Sequence, residues 1–149
     1  MNRGRNRRVR QGNRPRAGHS SGESVAAILL AEDDEAVREF VKRALGHYGH
    51  SVTAVGDGGA ALAALEESPY DLLLTDIVMP GVDGIALALK ATKDRPAMPV
   101  VLMTGFAEEQ QRAHNLEALI DRVVSKPFSL KEICAAVDAA LQARIPANS

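Results

Sequence analysis

The chain has 149 residues, 46% hydrophobic and 25% charged, with a formal net charge of −1, which sets the expectation of one ordinary apolar core in one domain. Aromatic residues make up only 3% and Trp is absent, which argues against a stacking platform for single-stranded nucleic acid, while the single cysteine, Cys134, excludes an internal disulfide and a Cys-based metal cluster. No apolar run approaches the roughly 20 residues needed to cross a bilayer, and no apolar segment follows the Arg-rich start as a secretory signal would require, so a cytoplasmic protein without a membrane partner is expected.

Charge is uneven along the chain. Residues 1–24, "MNRGRNRRVRQGNRPRAGHSSGES", hold seven Arg and one Glu, a local charge of +6, which leaves 11 basic against 18 acidic groups and a net of −7 in the remainder. With almost no apolar side chains this segment cannot repay its ordering entropy, and it is expected to be a disordered tail. It reads as an extension outside the fold, with Val25 an alternative start. A weak attraction to nucleic acid through these arginines is the competing reading.

From Ala26 onward, short apolar runs alternate with amphipathic stretches. "AAILLAE" reads as a buried strand, after which Val37, Phe40, Val41, Ala44 and Leu45 recur at helical spacing, ended by Gly46 and Gly49. "HSVTAV" predicts a second strand. "GDGGA" (Gly56 to Ala60) has glycines but no Lys-Ser/Thr, so it is a turn opening a helix with Asp57 as cap, not a phosphate-binding loop. That helix runs through Ala61, Leu62 and Leu65. A third strand, "DLLLT", leads to a loop marked by Pro80, Gly81 and Gly84, and helical spacing resumes from Ile85 to Lys93. "PVVLMT" is the fourth strand. The helix expected around Glu108 to Leu119 has a thin apolar stripe, consistent with a solvated face, a mobile element or a partner surface. "RVVS" is the fifth strand, and Leu130, Ile133, Val137, Ala140 and Leu141 define the last helix.

Five strands alternating with five helices predict a parallel α/β sheet covered on both faces, because right-handed crossovers place helices on either side. Ligands bind such sheets beyond the carboxyl ends of the strands. Glu32 and Asp33 follow strand one, Asp76 strand three, Thr104 ends strand four and Lys126 follows strand five; for strand order 2-1-3-4-5 these ends are neighbours. Three carboxylates in one crevice repel one another unless a cation compensates. All-oxygen ligands open to water favour Mg2+, while Lys126 and Thr104 suit the oxygens of a phosphoryl group. Together they describe phosphoryl transfer to a carboxylate, with Asp76 as nucleophile. The four histidines, at 19, 47, 50 and 114, show no metal-ligand spacing and no paired acid on a shared predicted face, and read as solvated or helix-end residues.

The segments "AEDD" (Ala31 to Asp34), "LLLTDIVMPGVDG" (Leu72 to Gly84), "LMTG" (Leu102 to Gly105) and "SKPF" (Ser125 to Phe128) resemble, in order and spacing, the receiver domain of two-component response regulators. The resemblance covers residues 26–143. It implies a flavodoxin-like (βα)5 three-layer sandwich with a parallel five-stranded sheet in the order 2-1-3-4-5, a receiver over residues 25–149, and no separate output domain. It also implies that Asp76 accepts phosphate from a histidine kinase or histidine phosphotransfer protein. Asp33, Asp76 and the backbone carbonyl of Val78 would bind Mg2+, with Glu32 acting through water. Lys126 would contact the phosphoryl group, Thr104 would move onto it, and the bond from Lys126 to Pro127 would be cis. In finer detail "ILLAEDD", "LLLTDIVMP", "TGFA" and "SKPF" are similar to CpdR-type single-domain receivers, whose unphosphorylated form primes the ClpXP protease in cell-cycle control. ClpX and its substrates are therefore expected partners, and the protein is expected to act as a binding switch, not an enzyme.

Two departures from the family pattern bear on mechanism. The position three before the lysine, aromatic in many receivers, is Val123, so the signal is expected to travel through the loop of Gly105 and Phe106 or the helix beyond it. The positions two after the aspartate and two after the threonine are Val78 and Phe106, and neither side chain can orient water, which predicts a slow autophosphatase. A phosphorelay intermediate is the rival within signalling. An aspartyl-phosphate phosphohydrolase is the rival from another class, and it would want a second acid where Val78 stands.

Overall fold

In a computed structural model of the protein, residues 25–105, 107–114, 120 and 122–143 are described. The elements alternate strictly: β1 (Ala27–Ala31), α1 (Glu35–His47), β2 (Ser51–Val55), α2 (Gly58–Glu67), β3 (Leu72–Asp76), α3 (Gly84–Asp94), β4 (Val100–Thr104), α4 (Ala107–His114), β5 (Arg122–Ser125) and α5 (Leu130–Ala143). The five strands form one parallel sheet in the order β2-β1-β3-β4-β5, as the sequence implied. Residues 1–24, where the disordered tail was expected, lie outside the described residues, as do Phe106 and residues 115–119 of the expected fourth helix.

The burial of the strands explains their composition. Every residue of β3 and β4 is buried, because both faces are covered, whereas the edge strands β2 and β5 alternate or stay exposed. Ile28, Leu30, Leu72, Leu74, Val101 and Met103 point into one core layer with α1 and α5. Leu29, Ala31, Leu73, Val100 and Leu102 point into the other with α2, α3, Ala113 and Ile120. The side-chain period of two in a strand splits one apolar run between two layers.

Short polar residues set the helix starts. Asp34, Asp57 and Asp83 each accept a hydrogen bond from the backbone N–H three residues on, at Val37, Ala60 and Ala86. At α5, Ser129 and Glu132 exchange hydrogen bonds as a reciprocal capping box: the Ser129 N–H donates to Glu132 Oε1 at 2.8 Å and the Glu132 N–H to Ser129 Oγ at 3.0 Å. The loop after β3 folds back tightly. Its Gly84 N–H donates to the Ile77 carbonyl at 2.7 Å, and a Cβ on Gly84 would lie 1.9 Å from the Asp76 carbonyl oxygen, so only glycine fits there. The loop also turns at Gly81, with φ at 73°.

His50 departs from the solvated reading. It is buried, its Nδ1 accepts the Ala26 N–H at 3.0 Å, and its Nε2 lies 3.7 Å from Asp138 Oδ1. The acid that faces it comes from α5, 88 residues away in sequence, and no local pattern could reveal that pairing.

Candidate functional site

Parallel pairing brings the carboxyl ends of β1, β3, β4 and β5 to one edge of the sheet, with Ala31 beside Thr75, Asp76 beside Met103 and Thr104 beside Ser125. Carboxylate oxygens of Glu32, Asp33 and Asp76 all lie within 4.8 Å of one another. Glu32 is fully buried and Asp76 nearly so, whereas Asp33 is exposed. Lys126 reaches in from the end of β5, its Nζ 3.0 Å from Glu32 Oε1 and 3.1 Å from Asp76 Oδ1. The Asp34 N–H donates to Glu32 Oε2 at 3.0 Å and the Ile77 N–H to Asp76 Oδ1 at 3.0 Å.

Electrostatics follow from that crowding. Burial pushes the Glu32 carboxyl up to about 7, against the pull of the Asp34 N–H and Lys126. Burial likewise raises Asp76, with Lys126 opposing. Burial works against the Lys126 ammonium, but Glu32 and Asp76 more than offset it and hold its pKa above the ordinary lysine value. Glu32 and Asp76 thus share the Lys126 ammonium within ion-pair distance, and Asp33 adds a third carboxylate beside them, an excess of negative charge at one site. That excess, with an all-oxygen donor set and one acid open to solvent, fits a small hard dication such as Mg2+. Of the Glu32 oxygens, Oε2 accepts the Asp34 N–H, while Oε1 faces the Lys126 ammonium at 3.0 Å but makes no well-directed hydrogen bond.

The remaining positions from the sequence fall as follows. Thr104 is fully buried, and its hydroxyl has no hydrogen-bond partner, an arrangement that costs free energy until an acceptor arrives. Its carbonyl takes the Lys126 N–H at 2.6 Å. The peptide bond between Lys126 and Pro127 is cis. Val78 is 54% exposed and Val123 is 42% exposed, so Val123 is not tucked toward the sheet edge. Phe106 lies outside the described residues. Beside the acids opens a cavity of about 690 Å3, lined by Asp76, Lys126 and Gly105 on its polar side and by Val37, Phe40 and Phe128 among its apolar residues. Phe40 and Phe128 stack with ring centroids 6.4 Å apart. Sequence reasoning missed Glu109, which lines the same cavity and accepts the Gly105 N–H at 2.8 Å; an acid in a weakly periodic helix gave no signal.

Comparison with known proteins agrees with this geometry. The response regulator receiver domain family matches residues 28–138. The chain belongs to that family. It is 43% identical over 106 residues to the response regulator receiver protein CpdR of Brucella abortus, covering 71% of this chain and 88% of that protein. It is 40% identical over 115 residues to the transcriptional activator protein PfeR of Pseudomonas aeruginosa, covering 77% of this chain but only 37% of that protein. A CheY-like receiver domain protein from Methanospirillum hungatei superposes with a TM-score of 0.75 at 30% identity, over 81% of this chain and 97% of that one. Receiver domains are signalling domains of two-component systems that pair with histidine kinases or phosphotransfer proteins and generally bind Mg2+. Among the described residues no helix is long and apolar enough to cross a membrane.

Proposed function

We propose that this receiver is phosphorylated on Asp76 by a histidine kinase or histidine phosphotransfer protein and works as a binding switch of the CpdR kind. The observation that carries the reading is the Asp76 carboxylate itself: nearly buried, 3.1 Å from the Lys126 ammonium, grouped with Glu32 and Asp33, and opening on a cavity. In the transfer, an oxygen of Asp76 bonds to phosphorus as the bond from phosphorus to the donor breaks, and the electron pair leaves with the donor's imidazole nitrogen or, for acetyl phosphate, with acetate. Asp33, Asp76 and the Val78 carbonyl would hold Mg2+, with Glu32 acting through water. Bound there, the ion would neutralise charge on the transferring oxygens. Lys126 follows the developing charge from its place between Glu32 and Asp76. The unpartnered Thr104 hydroxyl gains an acceptor when a phosphoryl oxygen arrives, which supplies a driving force for its movement.

Val78 stands where a phosphohydrolase of this chemistry needs its second acid. It is aliphatic and exposed, so transfer without rapid release is the supported outcome. Similarity to CpdR supports a finer reading: the unphosphorylated receiver primes ClpXP for its substrates from its own surface, in the cytoplasm. The test is incubation with acetyl phosphate and Mg2+ of the parent and of Asp76→Ala, then capture on immobilised ClpX in both states. Base-labile phosphate in the parent alone, with ClpX retained better by the unphosphorylated form, is expected. Equal labelling of Asp76→Ala would refute the acceptor. Labelling without ClpX capture, together with onward transfer to a histidine phosphotransfer protein, would favour a phosphorelay intermediate instead.

A further inference from the structure

Glu109 is the third residue of α4, counting from Ala107. It is 8% exposed, and its Oε1 takes the N–H of Gly105, the residue that directly follows Thr104 at the end of β4. Gly105, Glu109, Asp76 and Lys126 all line the one cavity. The register sets Met103 beside Asp76, so the Gly105 N–H is a backbone donor at the rim where a phosphoryl group on Asp76 would sit. A carboxylate already occupies that donor. It is anionic and oxygen-bearing, as a phosphoryl group is, and it adds negative charge to a cavity whose wall already carries Asp76.

We infer that Glu109 is an internal competitor for the phosphoryl site, a carboxylate that holds the Gly105 N–H in the resting protein and is displaced by phosphate on Asp76. The inference rests on Asp76 being the acceptor. Displacement has a mechanical consequence, because Glu109 belongs to the first turn of α4: an arriving phosphoryl group takes its donor, repels its charge and frees that turn. Coupling then runs from Gly105 to α4 with no need of an aromatic side chain at Val123. Arg112, further along the same helix, ties it to the start of α3 through Asp83 Oδ2 at 2.8 Å, so freeing the first turn leaves the second anchored. Glu109 is thus a positioning residue acting on a backbone donor.

The test compares the parent, Glu109→Gln and Glu109→Ala by the rate of labelling with acetyl phosphate and Mg2+, by thermal stability, and by the amide resonance of Gly105. A hydrogen bond to an ionised acceptor is about twice as strong as one to a neutral acceptor. Glu109→Gln is therefore expected to label about fivefold faster than the parent at low salt, with the ratio shrinking as salt screens the charge. It should keep the stability that Glu109→Ala loses, because the amide still accepts the bond. In the parent the Gly105 amide resonance should shift on phosphorylation. A purely structural cap gives the opposite pattern: Glu109→Gln labels at the parent's rate at every salt concentration, and that result overturns the inference. If neither protein acquires phosphate that depends on Asp76, the phosphoacceptor reading fails and this inference goes with it; Asp76-dependent labelling at equal rates sinks the competitor alone.

Discussion

Replacing Lys126 with Met removes the one ammonium that Glu32 and Asp76 share at 3.0 and 3.1 Å while keeping most of the side chain's volume. Breaking a buried ion pair by deleting one partner typically costs 3–5 kcal/mol, because a buried charge is left uncompensated. Two features lower that figure here. The Lys126 side chain is 25% exposed, so water already screens part of the attraction, and Glu32, held up at about 7, can take a proton instead of standing charged. At pH 8, where Glu32 is mostly ionised, Lys126→Met should therefore lose about 2–3 kcal/mol in urea denaturation with EDTA present. With 10 mM Mg2+, on the order of a saturating concentration, much of that loss should return, since a dication replaces the missing charge. At pH 5.5 the loss should be smaller, because Glu32 is then protonated. Adding Glu32→Gln should relieve part of the penalty, so the double variant is more stable than the sum of the single effects. If Lys126→Met in EDTA is as stable as the parent at pH 8, the acids are not sharing one cation and the site has been misread.

The same acids set the response of the parent to pH. The Glu32 carboxyl is raised from 4.5 to about 7 in the fold, so its contribution is fully present below the unfolded value and is lost as pH rises through 7. Stability in EDTA should fall by at most about 3 kcal/mol between pH 5 and 8, Asp76 acting in the same direction. Glu32→Gln should flatten that slope in urea titrations. Gly84→Ala would drive a Cβ to 1.9 Å from the Asp76 carbonyl oxygen and should lower stability by about 1–3 kcal/mol while slowing labelling with acetyl phosphate. Gly46→Ala, inside α1 with nothing within 4 Å of its new methyl group, should raise stability by about 0.5–1 kcal/mol; equal effects at the two glycines would contradict the packing described. Val78 is exposed, so Val78→Asn should leave the melting temperature unchanged yet shorten the phosphate lifetime severalfold, on the order of the gain from one positioned polar group; an unchanged lifetime would show that water is oriented from elsewhere.

How much of this could be read from the chain alone depends on how local each cause is. The strands were legible because β3 and β4 are buried on both faces and therefore continuously apolar, and an acid ending such a run is conspicuous. Asp33, Asp76 and Lys126 sit at ends that a parallel sheet must gather on one edge, so their meeting follows from topology once the alternation is seen. The caps at Asp57 and Ser129 also depend on residues within one turn, although the Ser129 to Glu132 box went unrecognised. Glu109, the Gly58 and Gly84 close approaches and the His50 to Asp138 pair have a different origin. Each depends on how one element lies over another: Gly58 is small because the Val82 carbonyl passes where its Cβ would be, and His50 is buried because α5 brings Asp138 across it. Periodicity reports which face of an element is apolar, not which polar group a neighbouring element will set against it. That is why the acids and the lysine at the strand ends could be expected in advance to meet, while Glu109, the residue we infer restrains the candidate site, could be found only with α4 in place over Gly105.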